Sequence, residues 1–324
     1  MSAENKPEEE KPEETEKVEE KTEEKQEETT EPQPEVKKPS FFDKIKHVDI
    51  YIWMIVVLSI LAAIGIYTDI LSISSTTPWT TIAQALILQL AVAIVVATIT
   101  DMTLKYMKTR QFKLSKTGII TGLFVGSILA EGTSLELVVL AALLAELLKH
   151  LIRYQGRNIF NPALLSLFVM SLAFKADMSW WAAASLIVPG MTIGIPVIVI
   201  LGLFISWRYK RFSLTLPALA VYFAIAIMLA GISTLNTDTI LGIVLNNTLY
   251  YFIFLMLVEP KSSPVYQKSR VIYGITAAVL LNVIPLATVY LPSISFAQII
   301  VANVFPVTIL LSNVLGRIYE KLIK

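Results

Sequence analysis

Two glutamates stand at the ends of long apolar runs, where a carboxylate can serve the passage of a cation or a proton. Glu131 follows Ile128-Leu-Ala, and Glu259 follows Met256-Leu-Val. A charged side chain at the edge of a membrane segment is costly, so an ion pathway is its first functional interpretation. Two alternatives stay open: both glutamates are solvated at the membrane surface, or Glu259 pairs with Lys261.

Three asparagines lie near apolar segments as well. Asn158 and Asn161 belong to Asn158-Ile-Phe-Asn-Pro162, and Asn303 belongs to Asn303-Val-Phe-Pro306. An asparagine before a proline can cap the free amides of a helix, and we expect Asn161 to do so where a membrane segment begins. The alternative is that the asparagines line a polar site.

Other charged residues in the apolar runs predict structural contacts. Glu146, Lys149 and His150 share one helix face at three- and four-residue spacing, which predicts an ion pair. Asp69 and Asp101 are interpreted as residues that simply end helices.

The composition is typical of a polytopic membrane protein. Of the 324 residues, 55% are hydrophobic, and several apolar runs approach the roughly 20 residues that cross a bilayer. The absence of cysteine excludes disulfides, thiolate catalysis and cysteine-ligated iron–sulfur clusters. Because His47 and His150 are the only histidines, we expect no histidine-rich metal or haem site. No nucleic-acid partner is expected.

The chain divides near residue 40. Residues 1–40 carry fifteen glutamates and seven lysines, a composition that predicts a disordered acidic tail and no cleavable signal peptide. Residues 41–324 are predicted to form the membrane domain.

Ten apolar segments are predicted to cross the membrane as helices, which makes the fold all-α. They cover about 50–68, 80–100, 118–130, 135–152, 162–174, 193–207, 214–232, 240–258, 271–289 and 296–315. Loops on one side of this frame carry many lysines and arginines, whereas those on the other side carry one base, Lys175. We expect the protein in the plasma membrane, and the positive-inside rule places both termini and the basic loops in the cytoplasm.

The two halves of the chain share features that predict an inverted repeat. Segments three and eight end at Glu131-Gly-Thr and Glu259-Pro-Lys, while segments five and ten carry the Asn-Pro and Asn-x-x-Pro stretches. Two related halves of five helices must lie inverted in the membrane, with a site near the midplane where short segments correspond. The halves are about 49–175 and 190–316, and we predict that Glu131 and Glu259 flank one pathway.

Three stretches carry a family resemblance. They are Gly156-Arg-Asn-Ile-Phe-Asn-Pro-Ala163, Glu259-Pro-Lys-Ser-Ser-Pro264 with Ser269-Arg-Val-Ile-Tyr-Gly274, and the basic Trp207-Arg-Tyr-Lys-Arg211 before Pro217. In this order the chain resembles the RnfD subunit of the Rnf electron-transport complex and the NqrB subunit of the sodium-pumping NADH:quinone reductase. The resemblance implies two inverted five-helix halves, similar to urea and ammonium channels. It also implies other complex subunits, Na+ or H+, and the lipid bilayer as partners.

The resemblance also implies a flavin, but the attachment motif departs from the family's pattern. The family esterifies FMN to the final threonine of Asp-x-x-(Ser/Thr)-Gly-Ala-Thr, between helices five and six on the outer side. Gly190 and Thr192 stand at the matching positions, so Thr192 is the candidate attachment residue. Leu186, Pro189 and Met191 replace the acidic, hydroxyl and alanine positions, which weighs against FMN. The alternative is a plain turn that starts helix six.

Three functions stay open. The first is a membrane subunit, non-catalytic or flavin-carrying, of an Rnf- or Nqr-like ion-translocating oxidoreductase. The second is a flavin-less ion or small-solute transporter or channel on the same scaffold, and the third is an assembly subunit that uses the acidic tail. The altered motif favours the second and third, whereas the loops around Asn161 and Pro264 favour family-like partners.

Overall fold

The computed structural model of the chain describes residues 48–72, 79–183, 187–188, 191–192, 194–233, 237–290 and 295–323. The predicted acidic tail, residues 1–40, lies outside the described residues, and so does Gly190. The described chain is mostly helical and contains two short β-hairpins.

The helices follow the predicted segments in order. The first seven segments form α1 (Ile50–Ser72), α2 (Trp79–Thr109), α3 (Lys116–Ile128), α4 (Leu135–Leu151), α5 (Pro162–Phe174), α6 (Gly194–Arg208) and α7 (Phe212–Ser233). The last three form α8 (Thr237–Val244), α9 (Asn247–Tyr251) with a π-helical turn (Phe252–Met256), α10 (Gln267–Val283), α11 (Leu286–Tyr290), α12 (Ser295–Ala302) and α13 (Val304–Ile323). All ten segments are therefore helical, and α2 extends well beyond its predicted end.

The prediction of one continuous helix for each of the last three segments is wrong, because polar residues and prolines interrupt them. The Asn246 side chain accepts a hydrogen bond from the Leu249 amide at 3.1 Å and so starts α9 as a new helix. Pro285 separates α10 from α11. Asn303 stands between α12 and α13, and Pro306 in the first turn of α13 lacks the N–H that a continuous helix needs.

Three described helices are long and apolar enough to cross a membrane, over Ile50–Leu71, Thr80–Thr109 and Phe212–Ile232. The apolar α3 has 13 residues, or about 20 Å of length, against a hydrocarbon core about 30 Å thick. Short and interrupted helices are tolerated at membrane depth where protein or a cavity surrounds them. Ten crossings and the inverted repeat stay predictions.

Glycines on one face of α3 let it approach α2 closely. A Cβ atom added at Gly122 would lie 2.4 Å from the Cα atom of Ile94, and one at Gly118 would lie 2.8 Å from that of Thr98. Gly126 continues the same four-residue spacing and faces Leu90. Small residues spaced in this way let membrane helices pack backbone to backbone, so α3 is held against α2 along its length.

The helices form two packed groups. Helices α1 to α5 pack mainly on one another, and α10 packs on α7 and α13 in the second group. Helix α1 contacts α6 and α5 contacts α13, which joins the groups. Loops 110–115, 152–161, 209–211 and 257–266 lie at one end of the bundle, here called the basic end.

A tight hairpin at the basic end connects α4 to α5. Strand β1 (Arg153–Tyr154) pairs antiparallel with β2 (Arg157–Asn158). Gln155 and Gly156 between them have φ angles of 49° and 76°, as a two-residue type I′ turn requires, and glycine adopts such angles without strain. The turn therefore fixes the position of Arg157 at the start of β2. The second hairpin pairs β3 (Ile187–Val188) with β4 (Met191–Thr192) before α6.

Candidate functional site

A small cavity of about 30 Å³ lies at the basic end, where α1, α3 and α5 meet the 257–266 loop. Most of its wall surface is apolar, but eight of the fourteen lining residues have a polar or charged group. They are Tyr51, Thr117, Thr121, Lys149, Asn161, Tyr209, Glu259 and Lys261. The volume admits one or two water molecules, which need polar partners of this kind. We call it the basic-end cavity.

Glu259 supplies the carboxylate of the basic-end cavity. Its Oε2 atom accepts a hydrogen bond from the Ser262 hydroxyl at 2.9 Å, and its backbone carbonyl accepts one from the Ser263 hydroxyl at 2.7 Å. Burial raises the pKa of Glu259 above its ordinary value near 4.5, while the Ser262 bond and the Lys261 charge oppose the rise. Among the described residues, no ion pair joins Glu259 to Lys261.

Lys149 connects the basic-end cavity to a buried cluster of charges behind it. The side chain lines the cavity and is 7% exposed. Its ammonium lies 3.0 Å from Oδ2 of Asp101 and also contacts the Glu146 carboxylate. The predicted ion pair between Glu146 and Lys149 is confirmed.

Asp101 is the centre of that cluster, and its interpretation as a residue that ends a helix is wrong. Helix α2 continues two more turns to Thr109, and the Asp101 side chain is fully buried. Its carboxylate lies 2.8 Å from the Lys105 ammonium and 2.7 Å from Nε2 of His150. It also accepts hydrogen bonds from the Thr117 hydroxyl at 2.8 Å and from the Ser115 hydroxyl. This many partners lets a buried carboxylate stay ionised.

Acidic and basic side chains are equal in number around the cavity. Asp101, Glu146 and Glu259 contribute three carboxylates, and three lysines oppose them, namely Lys105, Lys149 and Lys261. Ligand atoms of Asp101, Glu146 and His150 lie within 4.8 Å of one another, as at a metal site. The Lys149 ammonium contacts both carboxylates of that trio, so a lysine provides the positive charge that a metal would bring, and we assign no metal.

Arginines hold the 257–266 loop by its carbonyl oxygens. Arg157 donates to the carbonyls of Pro260, at 3.1 Å, and Ser263. Arg211 and Arg270 both donate to the carbonyl of Pro264. Carbonyls in a loop need such donors when water is excluded, and the planar guanidinium can serve several at once. The two motif stretches that begin at Gly156 and Glu259 are therefore bound to each other.

Glu320 on α13 completes this arginine clamp. Its carboxylate lies 3.3 Å from Arg157 and 3.2 Å from Arg317, and it accepts a hydrogen bond from the Val265 amide. Arg317 donates in turn to the carbonyl of Asn158 at 2.6 Å. The clamp thus joins β2, the 257–266 loop and α13.

The two motif asparagines have different environments. The Asn161 side chain accepts a hydrogen bond from the Leu164 amide at 3.1 Å, which confirms that it caps α5, and Asn161 also lines the cavity. Asn158 is 1% exposed, and its side-chain amide has no hydrogen-bond partner among the described residues. Such a buried orphan is costly unless water, an ion or a ligand satisfies it.

A cluster of aromatic rings lies next to the cavity. Phe124 on α3 lines the cavity and meets Tyr251 edge to face, with ring centroids 6.2 Å apart. Tyr251 also contacts Trp180 at 6.1 Å, and its hydroxyl lies 3.0 Å from the Ser127 hydroxyl. The short α3 and the interrupted α9 segment, which correspond in the predicted repeat, therefore meet behind this ring cluster.

The other predicted site residues lie away from the basic-end cavity. Glu131 is exposed in the turn after α3 and is therefore about 20 Å from the start of that helix. Asn303 is 3% exposed and donates to the carbonyl of Ile299 at 2.9 Å within its own helical segment. Thr192 pairs with Ile187 through the backbone of the second hairpin, and Gly190 lies outside the described residues.

Sequence reasoning missed Asp101, Arg157 and Glu320 as members of this region. A usable signal existed for Asp101, which stands inside a 31-residue helix with Lys105 four residues later. Arg317 and Glu320 likewise have the three-residue spacing of a helical pair. Their joint contact with Arg157 depends on long-range packing that spacing cannot reveal.

Comparison with known proteins gives one family match. The model of the NQR2, RnfD, RnfE family matches residues 33–196, half of the chain. The match includes the Gly156–Ala163 stretch, Asp101 and Lys149, whereas Glu259 and the arginine-held loop lie beyond it. No curated protein matches the chain.

Proposed function

Because the chain belongs to the NQR2, RnfD, RnfE family, we propose that this membrane protein is a subunit of an Rnf- or Nqr-type electron-transport complex that moves Na+ or H+. In this proposal the basic end faces the cytoplasm, as the loop charges predict. The observation that carries the ion-transport part is the basic-end cavity, which joins Glu259 to the buried charges behind Lys149. Ionisable groups at membrane depth are costly and usually mark a pathway.

The charged groups indicate how an ion would act at this cavity. An entering Na+ would meet the Glu259 carboxylate, which has no ion pair among the described residues, and would add positive charge beside Lys149 and Lys261. An entering proton would instead neutralise a carboxylate, and burial raises the pKa of Glu259, which makes its protonation easier than that of an exposed glutamate. Either event changes the charge that Lys149 faces in the cavity, so ion entry would be coupled electrostatically to the Asp101 cluster.

The positions of Glu131 and Glu259 support an ion pathway that runs along α3, with one glutamate at each end. Glu259 meets the first turns of α3 through Thr117 and Thr121 in the cavity wall, while Glu131 follows the last turn of α3. Phe124 and Tyr251 stand between these two ends. We therefore propose that the pathway is closed at these rings in the described conformation.

FMN on Thr192 does not fit the residues of this chain well, and no step of the proposal depends on it. Thr192 lies in a hairpin whose described neighbours Ile187, Val188 and Met191 are apolar. The acidic and hydroxyl residues of the family's attachment motif are absent. The test is flavin fluorescence on a denaturing gel after expression with a flavin transferase, with mass spectrometry of any adduct.

A flavin-less transporter or channel is the second candidate, and the same departure from the motif favours it. Copurification separates the two candidates. Full-length tagged protein is isolated from its native membranes in mild detergent, and associated proteins are identified by mass spectrometry. The proposed function predicts redox subunits that carry flavin or iron–sulfur cofactors. Recovery of the chain without any redox subunit would support the independent transporter and overturn the proposal.

A further inference from the structure

An open groove of about 520 Å³ lies beside the arginine clamp, between the first hairpin and α13. We call it the hairpin groove and define it by Tyr154, Arg157, Tyr266, Ile318, Glu320 and Lys321. It is separate from the basic-end cavity, with which it shares no lining residue. None of its residues has a part in the proposed ion pathway.

The charges in the hairpin groove are unbalanced. Arg157, Arg317 and Lys321 oppose one carboxylate, that of Glu320, which leaves a net charge of +2. The Lys321 ammonium lies 5.4 Å from the centre of the Tyr154 ring, and among the described residues it has no carboxylate partner. The groove is therefore complementary to an anion, and Lys321 is the cation available to it.

An apolar surface leads directly into this cationic region. Leu311, Val314, Ile318 and Leu322 are all exposed, and they follow one another at three- and four-residue spacing along α13. Val314 and Ile318 also line the hairpin groove. In a membrane protein such a stripe faces the acyl chains, and it ends here at lysine and tyrosine residues of the kind found at headgroup level.

From this juxtaposition we infer that the hairpin groove binds an anionic phospholipid of the leaflet at the basic end. The phosphate of the headgroup lies by Lys321 and Tyr154, and one acyl chain follows Ile318 and Val314 along α13. Basic pockets between membrane helices recognise anionic headgroups in this way. A bound lipid would brace the hairpin against α13, next to the Arg157 contacts that hold the 257–266 loop.

The test is native mass spectrometry of the full-length protein released from detergent. The protein is titrated with phosphatidylglycerol and, separately, with phosphatidylcholine of the same acyl chains. We expect phosphatidylglycerol adducts on the wild type and few phosphatidylcholine adducts. Lys321→Gln should lower phosphatidylglycerol occupancy about fivefold, the effect of one lysine near an anionic surface. Lys108→Gln is the matched control, because Lys108 is an exposed lysine outside the groove, and it should leave occupancy unchanged.

Three outcomes would overturn the inference. Equal occupancy by the two lipids would show that charge is not recognised. Equal losses in Lys321→Gln and Lys108→Gln would show diffuse surface attraction rather than a groove. Competition by soluble glycerol phosphate at the concentration of the lipid would show an anion site that does not use the apolar stripe.

Discussion

The ammonium of Lys149 lies 3.0 Å from Oδ2 of Asp101, while the same side chain forms part of the wall of the cavity that contains Glu259. The buried Lys149 side chain thus contacts the Asp101 carboxylate and also borders the cavity. A change of charge in the cavity acts on Asp101 through Lys149, because Lys149 and Asp101 are both buried and charges interact strongly where water is excluded.

Removal of the Asp101 charge should destabilise the protein through Lys149. We expect Asp101→Asn to cost roughly 3–5 kcal/mol, as is typical when one partner of a buried pair is lost. The measurement is the thermal unfolding midpoint in detergent. Asp177→Asn serves as the control, because Asp177 is exposed, and its midpoint should match the wild type.

A double-mutant cycle tests whether that cost comes from Lys149. Asp101→Asn leaves the Lys149 ammonium without its carboxylate, and Lys149→Met removes that ammonium. The double variant should therefore lose less stability than the sum of the two single losses. Strictly additive effects would mean that the two side chains are not coupled.

The arginine clamp predicts that lysine cannot replace Arg157. Arg157→Lys keeps the charge but cannot reach Glu320 and the carbonyls of Pro260 and Ser263 together. We expect a loss on the order of 1.5–3 kcal/mol and faster tryptic cleavage after Lys261 in the released loop, measured by mass spectrometry. Arg153→Lys is the matched control in the same hairpin, since Arg153 is exposed and, among the described residues, its side chain donates to the Gly156 carbonyl alone. Equal cleavage rates in both variants would contradict the clamp.

The space around two helical glycines, Gly122 at the α3–α2 contact and Gly231 on α7, predicts opposite effects of an added methyl group. Gly122→Ala places a methyl group against the backbone at Ile94, and overpacking of this kind costs about 1–3 kcal/mol or more. Gly231 has no atom within 4 Å of an added Cβ, so Gly231→Ala should leave stability unchanged or raise it slightly, because alanine is the better helix former. Thermal unfolding of both variants decides the matter, and a stable Gly122→Ala protein would contradict the packing.

The pKa of Glu259 predicts a pH dependence of stability. Because the folded-state pKa is raised, Glu259 contributes fully to stability below about pH 4.5, and this contribution is lost as the pH rises through the folded pKa. Glu259→Gln mimics the protonated form, so the wild type should lose stability relative to this variant as the pH rises above about 4.5. Unfolding midpoints are compared below and above that pH. Exposed Glu131→Gln is the control, and a difference that does not vary with pH would refute the assignment.

Much of this fold could be predicted from the sequence, because long apolar runs and basic loops determine where helices lie. The cap at Asn161 followed from the Asn-Pro pair, and the Glu146–Lys149 pair followed from helical spacing. The breaks at Asn246 and Asn303 were missed because these residues stand within apolar runs that are long enough for one continuous helix.

The candidate site was harder to predict, because it depends on contacts between distant segments. Glu259 and Asn161 are 98 positions apart in the sequence, yet both line one cavity. Asp101 on α2 contacts Ser115 and Thr117 because α3 packs closely on α2. The three glycines at four-residue spacing on α3 carried the signal for that packing. Their role became clear only from the short distances to Ile94 and Thr98.

Ion uptake by membrane vesicles that contain the assembled complex tests the central claim most directly. Electron-donor-driven uptake of Na+ and of H+ is compared between the wild type, Glu259→Gln and the control Lys268→Gln, with complex assembly checked by copurification. The account predicts that Glu259→Gln assembles normally but takes up neither ion above background, while Lys268→Gln retains the wild-type rate. Wild-type uptake by an assembled Glu259→Gln complex would contradict it.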